Sequence, residues 1–213
     1  MKNEFNQTPI FPLQVFLLPE GITRLKIFER RYQKLVSLAS KQQGFVIYSG
    51  DKNTLKVKVN TDVSENQLWG SWVEIINFGQ NQLGQLEIDV KCKSLVRLVN
   101  IRESQDGFYC ANIKPFHHWS QNNTKQRCEY LTNSLHDAFL NSTSLQPLYA
   151  NSISSNACWV VARWLELLPV KMDIKQQFIE QLNFDVATEF VENIVLLKDL
   201  GYPQMPYQVI LNQ

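Results

Sequence analysis

Residues 10–32 constrain the fold more than any other part of this chain, because the spacing of their apolar residues changes twice over a short distance. The apolar run Val15–Leu18 lies between two prolines, which favours a short buried strand over a helix. The next three residues, Pro19–Gly21, are typical of a tight turn, in which Gly21 can adopt a positive φ. The segment therefore predicts a strand and a turn close to the start of the chain.

A second strand and a helix follow this turn. Polar and apolar residues alternate over Arg24–Phe28, so Leu25 and Ile27 are expected to face a core while Arg24 and Lys26 face water. Beyond this strand, four apolar residues recur at helical spacing: Tyr32, Leu35, Val36 and Ala39. Gly44 is the expected stop of this helix.

Three motifs of the opening segment occur together in one known family. They are Phe11–Leu13, the turn Pro19–Gly21, and Leu25–Glu29 followed by Arg31 and Tyr32. The combination resembles the start of the Lon protease N-terminal domain, also called the LON substrate-binding domain. Members usually carry proline after the Phe–Glu pair, where this chain has Arg30, so a preset first helical turn is lost.

The resemblance extends over nearly the whole chain. Further matching segments are Gly70 with Trp72–Ile76, Phe108–Ile113, Trp159–Pro169 and Ile174–Glu180. Many members have a Gly-x-x-Arg-Phe turn and strand where this chain has Cys92–Val96. The resemblance implies an α+β fold, with an N-terminal pseudo-PUA-like β-barrel containing one helix, followed by a C-terminal α-helical bundle. We expect residues 1–118 to form the barrel subdomain and residues 119–213 the helical bundle.

The pattern of apolar residues independently predicts strands in the first half of the chain. The β-type runs are Phe45–Tyr48, Thr54–Val59, Leu68–Phe78, Leu86–Val90, Leu95–Ile101 and Phe108–Ile113. Turn residues separate these runs. Strands this short and closely spaced are typical of a curled antiparallel sheet or a small barrel.

The second half predicts four helices, which would make a small bundle. The first spans roughly Lys125–Phe139, and the second runs from a cap at Ser154 or Ser155 to Leu168, where Pro169 ends it. Asp173 with Gln176 resembles a capping box for the third. Asp185 is the expected cap of the fourth, whose apolar side would comprise Val186, Phe190, Ile194 and Leu197.

The sequence contains no recognisable catalytic motif. Its eight glycines are scattered and form no phosphate-binding loop, so no ATPase is expected. The Ser–Lys dyad of full-length Lon-type proteases belongs to a separate domain, which has no counterpart here. A Ser–His–Asp triad around His136 and Asp137 lacks a nucleophile elbow, and a triad is defined by geometry. We predict a protein that is not an enzyme and needs no cofactor.

The sequence does not predict a metal site. His117 and His118 are adjacent, and one of them could join Cys110, Cys128 or His136. Zinc ligands usually occur in close pairs, however, and this chain has none. The widely spaced cysteines are expected to be free thiols of a cytoplasmic protein, because the sequence shows no signal-peptide run and no membrane span.

Charge argues against a nucleic-acid partner. The formal net charge is +1, and no basic–aromatic stripe is visible. A local excess of cations, at Arg24, Lys26, Arg30, Arg31 and Lys34, is interpreted as a solvated face, with an anion site as the alternative. Exposed aromatic residues can anchor peptides, but Trp69, Trp72, Trp159 and Trp164 are more simply explained as core residues.

The leading hypothesis is a non-catalytic module that recognises polypeptide, such as unfolded or degron-bearing segments, as the resemblance implies. Its peptide-binding residues are not identifiable from the sequence. Three alternatives remain: a structural or regulatory partner of a protease or another complex, an RNA-binding PUA-like barrel, and an unrecognised hydrolase. The oligomeric state is not predicted.

Overall fold

The computed structural model describes residues 7–59, 68–119, 129–150, 152–180 and 184–199. The chain divides into two compact units, the first ending at Phe116 and the second beginning at His117. The finer expectation of two subdomains meeting at residues 118 and 119 stays a prediction.

The described part of the first unit contains one mixed sheet and two helices. The strands are β1 (Thr8–Pro12), β2 (Ile22–Ile27), β3 (Phe45–Tyr48), β4 (Trp69–Gln80), β5 (Leu86–Glu103) and β6 (Tyr109–Pro115). They lie in the order β2-β5-β4-β3-β1-β6, and β6 also pairs with β5. The pairing β1–β3 is parallel, and the other pairings are antiparallel. Five strands thus pair in a closed cycle, and β2 is attached outside it.

Helix α1 (Arg30–Gln42) packs against this sheet through the residues that the sequence predicts. Tyr32, Leu35, Val36 and Ala39 are its buried residues, which confirms the helical periodicity. The helix ends where Gln43 adopts a left-handed conformation, with φ 67°, immediately before Gly44. Strand β2 also follows its predicted alternation, because Leu25 and Ile27 are buried while Lys26 is exposed.

Two strand predictions in the first unit are wrong. Val15–Leu18 is largely buried but is not a strand, because the Val15 N–H donates to the Leu13 carbonyl and turns the chain away from β3. Thr54–Val59 was expected to be a strand, but it lies mostly within helix α2 (Lys52–Lys58). The Asp51 side chain caps this helix by accepting a hydrogen bond from the Asn53 N–H. The apolar alternation over Thr54–Val59 is too short to distinguish a strand from a helix.

Two further differences concern strand continuity and turn geometry. Leu86–Val90 and Leu95–Ile101 belong to the single strand β5, which stays paired with β4 across register shifts that absorb the polar interruption. In the predicted turn, the Gly21 N–H donates to the Leu18 carbonyl, and the residue with positive φ is Glu20, at 69°, not Gly21. Position i+2 of such a turn is the one that requires positive φ.

One hydrophobic cluster in the core of the first unit lies among β1, β3, β5, β6 and α2. Its buried residues are Ile10, Val46, Tyr48, Leu55, Val96, Leu98, Ile101, Tyr109 and Ala111. Burying this apolar surface supplies the main driving force for folding of the unit.

The described part of the second unit is helical. Its helices are α3 (Glu129–Leu140), α4 (Gln146–Tyr149), α5 (Ala157–Leu167), α6 (Met172–Glu180) and α7 (Phe184–Asp199). Helix α5 is central, since every residue from Ala157 to Leu165 is buried. The Trp164 indole donates to the Leu131 carbonyl of α3 at 2.9 Å, which satisfies its buried N–H.

The helix ends differ from the predictions in several places. Helix α5 ends before Pro169 as predicted, but Asn156 caps it, in place of Ser154 or Ser155, by accepting from the Trp159 N–H. The structure also has a short helix, α4, at Pro147, where no helix was predicted. Asp173 and Asp185 were predicted to cap helices, but Asp173 lies inside α6 and Asp185 lies inside the first turn of α7. Predictions for residues 125–128, and for the stop of α7 at residues 201–203, lie outside the described residues.

The buried side of α7 is rotated relative to the predicted one. Val186 is 41% exposed, whereas Ala187, Phe190, Val191 and Val195 are buried. No described helix is long and apolar enough to span a membrane.

Candidate functional site

A groove of about 480 Å³ lies in the first unit where three segments meet. These segments are the end of β1 with the residues that follow it, strand β2, and the start of α1. The lining residues include Phe11–Leu13, Thr23–Lys26, Phe28, Glu29, Arg31 and Tyr32, with Lys52 of α2. The groove therefore coincides with the opening segment that most constrains the fold.

Aromatic side chains form an apolar wall in this groove. The ring centroids of Phe11 and Tyr32 are 4.3 Å apart, and both side chains are largely buried. Burial raises the pKa of the Tyr32 phenol, so the group stays neutral at physiological pH. Phe28 has a different environment, because 68% of its surface is exposed next to the groove. An exposed phenylalanine beside a buried aromatic pair is a surface on which an apolar side chain can pack.

Strand β2 presents a free edge at this place. It pairs with β5 on one side, and no other strand of the described chain pairs with its second side. Thr23, Arg24, Leu25 and Lys26 all line the groove. Because alternate side chains of a strand point to opposite faces, contact with four consecutive residues indicates that the groove runs beside the backbone edge.

Much of the positive charge in this region is already paired. Arg24 makes two hydrogen bonds to the Asp89 carboxylate, at 2.6 and 2.9 Å, and Asn77 donates to the same carboxylate at 3.1 Å. The hydrogen bond from Arg24 is the main cause that lowers the pKa of Asp89. Arg31 pairs with Glu29.

Lys34, elsewhere on α1, pairs with Asp106. Three of the five cations singled out in the sequence therefore have acidic partners. Lys26 and Arg30 form no ion pair with any described residue, and neither does Lys52, which the sequence analysis did not select. The sequence analysis interpreted these five cations as a solvated face. Because three of them are paired with carboxylates, that interpretation describes only part of this surface.

The start of α1 adds a further positive feature to the groove. Glu29 is the N-cap residue, but its side chain makes no capping hydrogen bond, and the first turn has no acidic residue. The first turn begins instead with Arg30 and Arg31. Helix N-termini carry a partial positive charge, and the acidic residue at this one, Glu29, is already paired with Arg31, so with Arg30 this end of the groove keeps an excess of positive charge.

Those residues considered for metal binding that the structure describes do not assemble into a site. His117 and His136 are exposed. Cys110 is buried, and burial raises the pKa of its thiol to about 11, which makes it a poor nucleophile and metal ligand. No group of three or more metal-ligating side chains occurs among the described residues, and Cys128 lies outside them.

His118 is also unsuited to acid–base chemistry near neutral pH. Its ring stacks on Trp119 with centroids 4.4 Å apart. Burial, and secondarily the charge of Arg163, lowers the pKa of His118 to about 4. Neither ring nitrogen has a hydrogen-bond partner among the described residues. The side chain is therefore neutral over the physiological range.

The tryptophans examined as peptide anchors mostly pack inside the two units. Trp69 is buried and makes an edge-on contact with Phe16 at 6.0 Å. Trp72 is partly exposed, as expected for two residues on opposite faces of a strand. Trp159 and Trp164 are both buried in α5.

Phe28 is an exposed aromatic residue of the groove that the sequence analysis missed. A signal was present, because Phe28 follows Lys26 by two positions and so occupies the water-facing phase of β2. An apolar residue in that phase indicates an exposed apolar surface. No comparable signal existed for Lys52, which lies in a predicted turn between two predicted strands.

Two solved structures share this architecture. The Lon N-terminal domain protein from Xanthomonas campestris matches with a TM-score of 0.60 and 22% sequence identity, covering 86% of this chain and 95% of that chain. The N-terminal domain of the Mycobacterium avium complex Lon protease matches with a TM-score of 0.58 and 9% identity, covering 88% and 96%. The mixed six-stranded sheet with its helices therefore has the fold of Lon N-terminal domains.

The family follows from the sequence match. The model of the ATP-dependent protease La (LON) substrate-binding domain matches residues 7–195. This chain belongs to that family, which confirms the resemblance in its opening motifs. The match is to the substrate-binding domain, and no match to a protease or ATPase domain accompanies it. A search of curated proteins finds no match to this chain.

Proposed function

We propose that this chain is a non-catalytic module that binds polypeptide, and that the groove beside β2 is its binding site. The observation that carries the proposal is the exposed Phe28 next to a free strand edge and an apolar wall. Extended peptides commonly bind proteins at such edges, where backbone groups supply hydrogen bonds and adjacent pockets hold side chains. Membership of a substrate-binding domain family supports the same function.

The proposal includes the finer architecture expected from the sequence. The closed cycle of strand pairings supports a small β-barrel as the first subdomain, and helices α3 to α7 support a helical bundle as the second. The boundary at residues 118 and 119 remains part of this proposal. So does a cytoplasmic location, with which the three described free cysteines agree.

Binding to a permanently unfolded protein tests the proposed function. Reduced, carboxymethylated α-lactalbumin carrying a fluorescent label would be titrated with the full chain, and fluorescence anisotropy would report complex formation. We expect the unfolded protein to bind and the native labelled protein to bind much more weakly. Phe28→Ala should weaken binding by roughly tenfold, the usual effect of removing an aromatic anchor. Equal affinity for the unfolded and native forms would contradict the proposal.

Phe78→Ala is the matched control for this experiment. Phe78 is 55% exposed on β4 and does not line the groove. Its substitution should leave the affinity unchanged, because a generally sticky surface would respond to both variants while a specific groove responds to one. Equal losses in the two variants would mean that the groove is not the binding site.

The second candidate function is a structural or regulatory partner of a protease or another complex. An exposed apolar residue beside a strand edge would also serve a folded partner. Co-purification of wild type and Phe28→Ala from the native cell, followed by mass spectrometry, separates the two. A heterogeneous set of Phe28-dependent polypeptides supports substrate recognition, whereas one stoichiometric folded protein supports the alternative.

A further inference from the structure

We infer that the groove binds its polypeptide as an added β-strand along the free edge of β2, and that it selects segments carrying acidic residues between apolar ones. This inference rests on the proposed function and adds to it the conformation and chemical class of the ligand. Three features of the first unit carry it: the strand edge, the apolar wall and the unpaired positive charges.

The strand edge determines the conformation of the ligand. Strand β2 pairs with β5 throughout its length, and its second edge borders the groove at Thr23–Lys26. The strand contains no proline, and its outward backbone groups need partners once water is displaced. An extended segment lying in the groove supplies those partners as a ladder of hydrogen bonds.

The apolar wall determines which side chains the ligand presents. In an added strand, alternate side chains point to the same face. The face turned away from Lys26 and Phe28, which lie on the water-facing side of β2, would meet the Phe11–Tyr32 aromatic pair. Apolar residues at alternate positions of the ligand would bury their surface there, while the intervening residues meet the charged rim.

The charges of the rim determine the intervening residues. Arg24 and Arg31 are neutralised by Asp89 and Glu29. Lys26 and Lys52 line the same groove and have no ion-pair partner among the described residues. The N-terminus of α1, without a side-chain cap, adds its partial positive charge. Carboxylates in the ligand therefore find complementary charge at Lys26, at Lys52 and at the start of α1.

The same charges disfavour a second copy of this chain as the occupant. An edge-to-edge pairing of two β2 strands would bring their unpaired Lys26 side chains close together without adding an acidic partner. Like charges on adjacent strands are destabilising, and lysine on an exposed edge is a common device against self-pairing. The edge of β2 therefore disfavours pairing with the β2 edge of a second copy and favours pairing with an acidic strand.

Three labelled peptides, each matched in length to β2, test the charge selectivity. All alternate valine or phenylalanine with a second residue, which is aspartate in one peptide, lysine in the next and serine in the last. We expect the full chain to bind the aspartate peptide roughly tenfold more tightly than the lysine peptide at low salt, with a difference that shrinks as salt is added. Equal affinities would overturn the acidic preference.

A pair of N-methylated peptides tests the added-strand geometry. Methylation of one alternate set of amides in the aspartate peptide removes the hydrogens that face β2, and methylation of the other set removes those that face away. We expect one set to abolish binding and the other to be tolerated. Equal tolerance of both sets would overturn strand addition, because side-chain contacts alone do not distinguish them.

The protein variants connect these results to the groove. The double variant Lys26→Gln, Lys52→Gln should lose most of the preference for the aspartate peptide. Lys114→Gln, which removes an exposed lysine of β6 outside the groove, should keep that preference. Circular dichroism would verify that each variant is folded. An unchanged preference in the double variant would contradict the assigned role of these lysines.

The outcomes also separate this inference from the proposed function. Unfolded α-lactalbumin could bind in a Phe28-dependent manner while the peptides show no charge preference and tolerate both methylation sets equally. In that case only the inference is wrong. If unfolded protein does not bind, the proposed function is wrong as well. A dimer in sedimentation equilibrium that Phe28→Ala dissociates would identify a second copy as the occupant and overturn the inference.

Discussion

At the scale of single residues, the contact between Arg24 and Asp89 is the best-defined polar interaction of the first unit. Asp89 is buried and accepts from Arg24 and Asn77, whereas the Arg24 side chain is 43% exposed. The contact joins β2 to β5 at a cross-strand pair, because Arg24 lies opposite Asp89 in the ladder. It therefore holds in place the strand whose other edge borders the groove.

We expect Asp89→Asn to lower the free energy of unfolding by about 1.5–3 kcal/mol, the range for hydrogen bonds to charged groups. Because the hydrogen bond from Arg24 lowers the pKa of Asp89 below its ordinary value of 3.8, the carboxylate's contribution is present above pH 3.8 and is lost as the pH falls further. Urea unfolding of both proteins over an acid pH series would show the difference shrinking below that pH.

Asp106→Asn is the control for this prediction. Asp106 pairs with Lys34 on the surface, where the two side chains are 45% and 61% exposed. Exposed pairs contribute about 0–1 kcal/mol, so this variant should unfold almost like wild type. A loss as large as that of Asp89→Asn would indicate a general charge effect and contradict the specific role of the Arg24 contact.

At the scale of secondary-structure elements, the close approach of β3 and β4 depends on Gly70. A Cβ atom at Gly70 would lie 2.4 Å from Val46 Cγ1 and 2.7 Å from the Ile47 carbonyl oxygen. Both distances are shorter than van der Waals contact, and the second neighbour is backbone. The two strands must therefore separate to admit any side chain here.

We expect Gly70→Ala to destabilise the first unit by about 1–3 kcal/mol, as overpacking usually does. Gly79→Ala, also on β4, has no atom within 4 Å of its Cβ and should be neutral or slightly stabilising. Thermal unfolding of the two variants makes the comparison. A Gly70→Ala protein as stable as Gly79→Ala would show that β3 and β4 separate without cost.

Long periodic segments were predictable at this scale, whereas short ones were not. The buried face of α1 was predicted correctly because Tyr32, Leu35, Val36 and Ala39 repeat over several turns. Helix α2 was predicted as a strand, since its few residues fit either period and the cap at Asp51 was not recognised. The polar break in β5 resembled a turn because its register shifts arise from pairing with β4, which is not local information.

At the scale of the whole molecule, the two units should respond oppositely to alkaline pH. In the first unit, burial raises the pKa of Cys110 from 9.0 to about 11, so the folded state keeps a proton that the unfolded state releases. In the second, burial lowers the pKa of Lys175 from 10.5 to about 8, although its ammonium donates to the Glu166 carbonyl. By linkage, rising pH destabilises the first unit and stabilises the second.

The first half of this prediction concerns Cys110. Between pH 9 and pH 11 the wild-type chain should lose about 2–3 kcal/mol of unfolding free energy relative to Cys110→Ala, which has no thiol to ionise. The ionisation of tyrosines in this range is common to both proteins and cancels in the difference. A difference that does not change across this window in urea unfolding would mean that the thiol is not buried as described.

The second half concerns Lys175. Between pH 8 and pH 10.5 the wild-type chain should gain about 3 kcal/mol relative to Lys175→Met, because its folded state gives up the proton of the buried ammonium first. The same unfolding series provides the measurement. A difference that moves in the other direction would contradict the lowered pKa.

The local order of residues was sufficient for the family and for much of the secondary structure. The opening motifs, the alternation of β2 and the helical period of α1 all depend on neighbours in the chain, whose propensities and spacing the sequence records directly. The absence of a phosphate-binding loop could be read in the same way. These local features are sufficient to predict the domain family without knowledge of the tertiary structure.

The groove required the folded chain. Phe11, Phe28 and Lys52 become neighbours only because β1 pairs with β3 while β2 is attached to β5. The tertiary structure also decides which cations remain unpaired, because Arg24 pairs with Asp89, which is 65 residues away in the sequence. Strand pairing and burial couple residues that are distant in sequence, so the binding surface follows from the packing of the elements and not from any one motif.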